Sequence, residues 1–227
     1  MELKAKAAAV NRRLEPVYTN LEPLIHYRNC YELTVAVILS AQTTDNQVNR
    51  VTPELFERFS GPRELAAADP KEVEEIIRSV GFYVNKTRHI LGAAQKIVGD
   101  FGGEVPEAMD DLVGLPGIGR KSANVIRGFC FGKPAIIVDT HFMRVVRRIG
   151  LTEAKNPDTI ERDIGGLLPE GKWTAFTMRI NRHGRSLCTA RKPDCPNCPV
   201  REVCSYYSSE RGGDKPGIRK QPVFSKE

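Results

Sequence analysis

The sequence has little of what marks membrane, secreted or β-rich proteins. No apolar run approaches the roughly 20 residues needed to cross a bilayer. The N-terminus, Met-Glu-Leu-Lys-Ala-Lys, lacks the long apolar stretch of a secretory signal. Strand-like alternation of apolar and polar residues is almost absent, and no internal repeat or long low-complexity linker occurs. We therefore expect an intracellular, all-α protein that does not enter a membrane.

Acidic residues are scarce in one part of the chain. Overall, 34 Lys and Arg residues face 28 Asp and Glu residues, a net charge of +6. Residues 120–150 contain seven basic residues and only one acid, Asp139, whereas residues 53–81 contain seven acids and four bases. Such local clustering favours a basic face for a polyanion such as nucleic acid over an evenly basic surface.

The apolar periodicity is helical throughout, and 227 residues suffice for one large or two modest domains. Asp69-Pro70 is a typical helix start, because an aspartate cap precedes proline at the first helical position. The pattern predicts helices over residues 4–17, 31–40, 45–59, 70–80, 85–101, 105–112, 120–130, 140–149, 157–168 and 173–185.

A glycine-rich hairpin between two of these helices contains the first chemical motif, Leu-Pro-Gly-Ile-Gly-Arg-Lys over residues 115–121. Glycine lets the backbone turn sharply and approach a ligand, and free amides at a helix start suit a phosphate. Lys121 lies in the first turn, where the positive helix end disfavours an ammonium, and an uncharged amine is a nucleophile. The alternative is a plain tight turn with a solvated lysine, in which Asp139 only caps the next helix. The Gly-x-Gly pattern alone leaves these readings about even.

Four of the six cysteines form a second motif, Cys-x6-Cys-x2-Cys-x5-Cys, close to the C-terminus. An intracellular chain argues against disulfides, so a metal site is favoured. Spacing and chemistry leave a structural zinc ion and a 4Fe–4S cluster about equally open. Cys30 and Cys130 lie in or beside apolar helices and are expected to be buried thiols. The four proposed ligands are Cys188, Cys195, Cys198 and Cys204.

Together these motifs resemble the endonuclease III family of helix-hairpin-helix DNA glycosylases. The resemblance rests on Leu-Pro-Gly-Ile-Gly-Arg-Lys-Ser-Ala-Asn-Val (115–125), Val-Asp-Thr-His (138–141), the cysteine spacing and the supporting Ser-Ala-Gln-Thr-Thr-Asp (40–45). It covers residues 31–204 and implies a structural 4Fe–4S cluster. It also implies a six-helix barrel domain with the hairpin at 24–133 and a cluster domain at 134–205 that includes the N-terminal helix, 1–23. DNA would lie in the cleft between the domains. Beyond the region of resemblance the chain becomes rich in Ser, Gly, Lys and Arg, so residues 206–227 are expected to form a flexible basic tail.

The same resemblance implies roles for individual residues. In the family, the lysine at the position of Lys121 attacks the sugar and the aspartate at the position of Asp139 assists. Gln42 would fill the gap left by an extruded base, and Phe82 would be the apolar wedge, where relatives often have leucine. Further phosphate contacts are expected from the loop between the first two cluster cysteines. The expected DNA contacts are therefore Gln42, Phe82, Gly117, Gly119, Arg120, His141, Arg191 and Lys192.

The function that the resemblance implies is a bifunctional DNA glycosylase and AP lyase that removes oxidised pyrimidines from duplex DNA. A Schiff base on Lys121 would lead to strand cleavage by β-elimination, in a monomeric, cytoplasmic and nucleoid-associated prokaryotic enzyme. Related adenine-mismatch glycosylases lack this lysine and carry a glutamate on the helix that here reads Val35-Ala36-Val37-Ile38. A mismatch glycosylase and a non-catalytic DNA-binding or redox-sensing iron–sulfur protein are the alternatives. The joint presence of Lys121 and Asp139 favours the enzyme.

Overall fold

The computed structural model describes residues 1–211. All regular secondary structure within these residues is helical, which confirms the predicted all-α class. Most of the predicted tail, residues 212–227, lies outside the described residues. Two short 3₁₀ turns, Glu170–Lys172 and Arg201–Val203, accompany the α-helices. The α-helices are α1 Leu3–Leu14, α2 Cys30–Leu39, α3 Asp45–Arg58, α4 Pro62–Ala66, α5 Pro70–Ile76, α6 Tyr83–Phe101, α7 Met109–Val113, α8 Arg120–Cys130, α9 Thr140–Ile149, α10 Pro157–Gly165, α11 Trp173–Ser186 and α12 Ser205–Arg211.

The first hydrophobic core is built around α2, in which nine of ten residues are buried. A helix that is apolar on all sides has to be surrounded by other helices. Helices α3, α6 and α8 pack against α2, and α7 packs against α8. The buried residues of this core run along the chain from Ile25 to Ile126.

The second core combines the N-terminal helix with the C-terminal half of the chain. Ala7, Val10 and Leu14 of α1 join buried residues that run from Ile136 to Cys204. Helices α9 and α11 pack together at its centre. The rings of Phe142 and Phe176 are arranged edge to face there, with 6.3 Å between the ring centres. The chain passes between the cores once before α2 and once after α8. The domain boundaries themselves, at residues 23/24, 133/134 and 205/206, stay a prediction.

The structure differs from the predicted helices in several places. The helices predicted over residues 4–17, 70–80 and 157–168 end earlier, at Leu14, Ile76 and Gly165. The helix predicted over residues 105–112 begins only at Met109, and Val105 is buried in the first core on a segment without regular secondary structure. The short helix α4 was not predicted. Helix α12 was not predicted either. Its Tyr206 packs on the second core, and the central carbon of the Arg148 guanidinium lies 5.0 Å from the centre of the Tyr206 ring.

Candidate active site and cysteine cluster

The glycine hairpin joins α7 to α8 as predicted, and its two glycines do different things. Gly117 has φ +81°, and a Cβ there would lie 3.0 Å from both His89 Cβ and Ile38 Cγ2. Any residue with a Cβ would therefore be strained by the left-handed backbone at position 117, and it would also crowd these two neighbouring side chains. Gly119 has an ordinary φ of −98°, and a Cβ there would meet no atom within 4 Å. Gly119 begins α8 without a side-chain cap, which leaves open space beside the amides of the first turn.

Asn124 of α8 fixes the hairpin helix to the apolar run that precedes Asp139. Its side chain is buried and its Nδ2 donates to the Ile136 carbonyl at 3.1 Å. Lys121 lies three residues before Asn124, and Asp139 lies three residues after Ile136. This buried hydrogen bond is therefore one contact that holds α8, which carries Lys121, against the segment that leads to Asp139.

Lys121 and Asp139 line the same cleft, which has a volume of about 90 Å³. One wall comes from α2 and α8, which belong to the first core, and the other comes from α11 and the start of α9, which belong to the second. The predicted pair thus lines one cleft between the two cores. The cleft is lined by Pro23, Leu24, Ile25, Val37, Ser40, Asp45, Lys121, Val125, Phe129, Ile137, Asp139, Met178, Asn181 and Arg185.

Both carboxylate oxygens of Asp139 accept hydrogen bonds. Oδ1 accepts from the backbone N–H of Phe142 at 2.7 Å, so Asp139 caps α9 as the capping alternative proposed. Oδ2 accepts from Nδ2 of Asn181 on α11 at 2.5 Å. Capping and a position in the cleft are therefore compatible, and Asn181 is a cleft residue that sequence reasoning missed.

Gln42 and Phe82 share an unusual backbone. Among the residues that the structure describes, they are the only non-glycine residues with positive φ, at 53° and 60°. Phe82 is 65% exposed although it is strongly apolar. Their two turns are close together, since a Cβ on Gly81 would lie 3.9 Å from the Gln42 carbonyl. Strained, exposed residues of this kind cluster at functional sites.

Lys86 is a buried residue that donates hydrogen bonds to both sides of the turn that carries Gln42. The sequence analysis did not predict this role. It is 4% exposed, and its Nζ donates to the Leu39 carbonyl at 2.8 Å and to Thr43 Oγ1 at 2.6 Å. Burial lowers the pKa of the Lys86 ammonium. The two hydrogen bonds hold the end of α2 and the turn that carries Gln42 in one arrangement.

Two of the predicted DNA contacts have partners within the protein. Arg120 forms two hydrogen bonds to Glu161 of α10, at 2.8 and 2.9 Å, so its charge is compensated. This contact connects Arg120 of the hairpin helix with α10 of the second core. His141 is the other residue, and its Nδ1 lies 3.3 Å from the Arg144 guanidinium in the first turn of α9.

The four C-terminal cysteines line one cavity together with Arg148 and His183. Arg148 Nη1 lies 3.4 Å from Cys188 Sγ, and His183 Nε2 lies 3.4 Å from Cys198 Sγ. Within residues 1–211, no three His, Cys, Asp or Glu side chains converge closely enough to hold a single metal ion. The thiols surround a cavity rather than one point. Four thiols with a guanidinium beside them suit an anionic iron–sulfur cluster.

Arg148 also orders the loop between the first two of these cysteines. Its guanidinium donates to the carbonyls of Thr189 at 2.7 Å and Ala190 at 2.9 Å. The next two residues, Arg191 and Lys192, are exposed. The two predicted phosphate contacts thus lie on a loop that is fixed to the cluster region.

Two family models match the chain. HhH-GPD superfamily base excision DNA repair proteins match residues 35–170, and the iron–sulfur binding domain of endonuclease III matches residues 188–204. By class, the chain is thus a helix-hairpin-helix protein of base excision repair with an iron–sulfur domain. Endonuclease III from Synechocystis sp. is 45% identical over 88% of this chain and 92% of its own length. The chain belongs to the endonuclease III family.

Solved structures agree with this assignment. A non-covalent endonuclease III–DNA complex has a TM-score of 0.87 and 36% identity, and it covers 94% of this chain and all of its own. A trapped endonuclease III–DNA covalent intermediate also gives 0.87 and 36%, over 93% of this chain and all of its own. The predicted family, fold and glycosylase/AP lyase class are confirmed. The four cysteines belong to an iron–sulfur domain, which decides against the zinc alternative. None of the described helices is long and apolar enough to span a membrane.

Proposed function

We propose that this protein acts as a monomer on duplex DNA that contains oxidised pyrimidines or abasic sites, with Lys121 as nucleophile and Asp139 as its charged partner. The observation that carries the proposal is the cleft between the two cores, which both side chains line. Such a substrate would place the enzyme on the nucleoid of a prokaryotic cell.

Base removal would proceed through attack on the sugar. The uncharged amine of Lys121 bonds to C1′, the bond from C1′ to the base breaks, and the base leaves with a proton. Asp139 stabilises the positive charge that develops on the sugar. The sugar ring opens and Lys121 forms a Schiff base with C1′. Loss of a proton from C2′ then expels the 3′ phosphate, because the cationic nitrogen accepts the electron pair.

Access to the base requires that the nucleotide leave the stack. Phe82 is exposed and apolar, as expected for a side chain that inserts between base pairs. Gln42 lies on the neighbouring turn and is polar, as expected for a residue that pairs with the base left behind. The strained backbone at both positions supports a functional role for these turns.

The DNA backbone would be bound at two separate places. The open first turn of α8, beside Gly119, suits one phosphate, since helix amides point out of it. Arg191 and Lys192 would contact further phosphates from the cluster loop. The cluster itself would serve to hold that loop, because base excision needs no electron transfer. We assign Arg120 to the contact with Glu161 rather than to DNA.

The experiment is a base-release and strand-nicking assay on duplexes with one oxidised pyrimidine, compared with duplexes that carry an undamaged adenine mismatch. Wild-type protein should release the oxidised base and nick the strand, and Lys121→Gln should do neither while still binding DNA. Matched Lys155→Gln, a substitution in a loop between α9 and α10, should behave as wild type. Release of adenine from the mismatch without nicking would instead identify a mismatch glycosylase.

A further inference from the structure

We propose that Asn181 is a positioning residue that fixes the Asp139 carboxylate in the cleft and is itself held by Arg185 and Asp45. The proposal rests on the catalytic role proposed for Asp139. It extends that role to a series of side-chain contacts that leads from Asp139 through Asn181 and Arg185 to Asp45, the first residue of α3 in the first core.

The contacts around Asn181 define which way its amide points. Nδ2 donates to Asp139 Oδ2 at 2.5 Å, and Oδ1 accepts from Arg185 Nε at 3.1 Å. A carboxylate can only accept and a guanidinium can only donate. The reversed amide would lose both hydrogen bonds, so the two charged neighbours permit one orientation only.

Arg185 is in turn fixed from the other side of the cleft. Its Nη1 lies 3.1 Å from Oδ2 of Asp45, the first residue of α3. The Asp45 side chain is 24% exposed and that of Arg185 is 39% exposed, so water only partly weakens the pair. The same cleft is lined by Asp139, Asn181, Arg185 and Asp45. The chain of contacts therefore follows the wall of the proposed active site.

This arrangement has a chemical consequence for Asp139. Oδ1 is engaged by the backbone of α9 and Oδ2 by Asn181, so neither oxygen can turn away without losing a hydrogen bond. A carboxylate whose two oxygens are both held by donors is preorganised to stabilise positive charge that develops nearby. Asn181 thus supports the charge-stabilising role proposed for Asp139.

The test compares Asn181→Leu, which removes the donor at similar size, with the isosteric Asn181→Asp, which also places a second negative charge beside Asp139. Single-turnover base release should fall about 10- to 100-fold in Asn181→Leu, as for loss of a hydrogen bond to a charged group. It should fall at least as far in Asn181→Asp at neutral pH. The rate at saturating enzyme should change while DNA affinity does not. Nicking of a pre-formed abasic site should be less affected. Asn20→Leu, an exposed loop variant, is the matched control.

A double-mutant cycle with Asp139→Asn separates positioning from folding. If Asn181 acts through Asp139, Asn181→Leu should cost little further rate in the Asp139→Asn background. An equal loss in both backgrounds, or a wild-type rate in both Asn181 variants, would overturn the positioning role. If Asp139→Asn itself releases the base at the wild-type rate, the proposed function of Asp139 fails instead. The two failures are therefore distinguishable, and thermal melting with the cluster absorbance verifies that each variant is folded.

Discussion

At the scale of single residues, Asp139 combines a structural and a chemical task. One oxygen caps α9 and the other accepts a hydrogen bond from Asn181 on the same wall of the cleft. Asparagine is as good a helix cap as aspartate, so the two tasks can be separated by one substitution.

Asp139→Asn should keep the fold and lower base release strongly, by about two to four orders of magnitude if the charge is needed in the transition state. Nicking of a pre-formed abasic site should fall less, because an aldehyde forms an imine without expelling a base. Rapid-quench kinetics on both substrates measure the two rates. Asp69→Asn, at the aspartate cap of α5, is the control and should leave both unchanged. Equal losses on both substrates would contradict the assigned role.

Phe82→Ala should reduce activity on a duplex lesion more than on a lesion in a pre-opened bubble, because inserting a side chain offsets the cost of unstacking. Phe82 is largely exposed, so its truncation should cost little folding stability. Turnover on the two substrates gives the comparison. Val17→Ala removes another exposed apolar side chain and should affect neither. A loss of the same size on both substrates would mean that Phe82 does not insert.

The residues that sequence reasoning identified are those within local motifs. Lys121 and Asp139 each stand in a short, recognisable run. Asn181 was missed because its partner Asp139 lies 42 residues away and nothing in its own helix indicates the contact. Lys86 was missed for the same reason, since it meets Leu39 and Thr43 across more than 40 residues. Contacts of this kind depend on packing and cannot be inferred from local patterns.

At the scale of elements, helix starts followed the sequence where a capping signal was present, whereas the predicted ends of α1, α5 and α10 were three to four residues too late. The prediction for α9 was correct at both ends, because Asp139 caps its start and Gly150 ends it with φ +82°. Helix α5 begins as predicted, at Asp69-Pro70. The predicted start of α7 was wrong: the helix begins at Met109, and Val105, the first residue of the predicted helix, is instead buried in the first core ahead of it.

The hairpin allows a direct comparison of its glycines. Gly117→Ala should destabilise the protein by about 1–3 kcal/mol, because a left-handed backbone strains any residue with a Cβ, and the new atom would also meet His89 and Ile38. Gly119→Ala should leave thermal stability nearly unchanged, since its backbone is ordinary and the space is open. The same substitution should weaken DNA binding, because its methyl group would occupy the expected phosphate position. Melting temperatures together with binding isotherms test both statements. Normal DNA affinity in Gly119→Ala would rule out close phosphate approach there.

At the scale of the whole molecule, polar contacts join the two cores around the cleft. Arg120–Glu161 and Arg185–Asp45 both connect elements of different cores. Such exposed pairs contribute only about 0–1 kcal/mol each. The relative position of the cores therefore depends more on buried contacts such as Asn124–Ile136 than on these pairs.

DNA affinity should fall steeply with salt, because phosphate contacts release counterions. Arg191→Ala and Lys192→Ala should each reduce the slope of log affinity against log salt by about one. Arg120→Ala should reduce it by less, since Glu161 already compensates that charge. Lys4→Ala, on the exposed face of α1, is the control. Fluorescence anisotropy between low and moderate salt gives the slopes. Unchanged slopes for both loop variants would remove the cluster loop from the DNA interface.

The central claim, that Lys121 bonds to the sugar, is tested most directly by borohydride trapping followed by peptide mapping. Borohydride reduces an imine to a stable amine, so wild-type protein should become covalently linked to DNA that carries an oxidised pyrimidine. Mass spectrometry of the digested adduct should place the DNA on Lys121, and Lys121→Gln should give no adduct. An adduct on Lys86, Lys133 or the N-terminal amine would contradict the account, even if base release and nicking were observed.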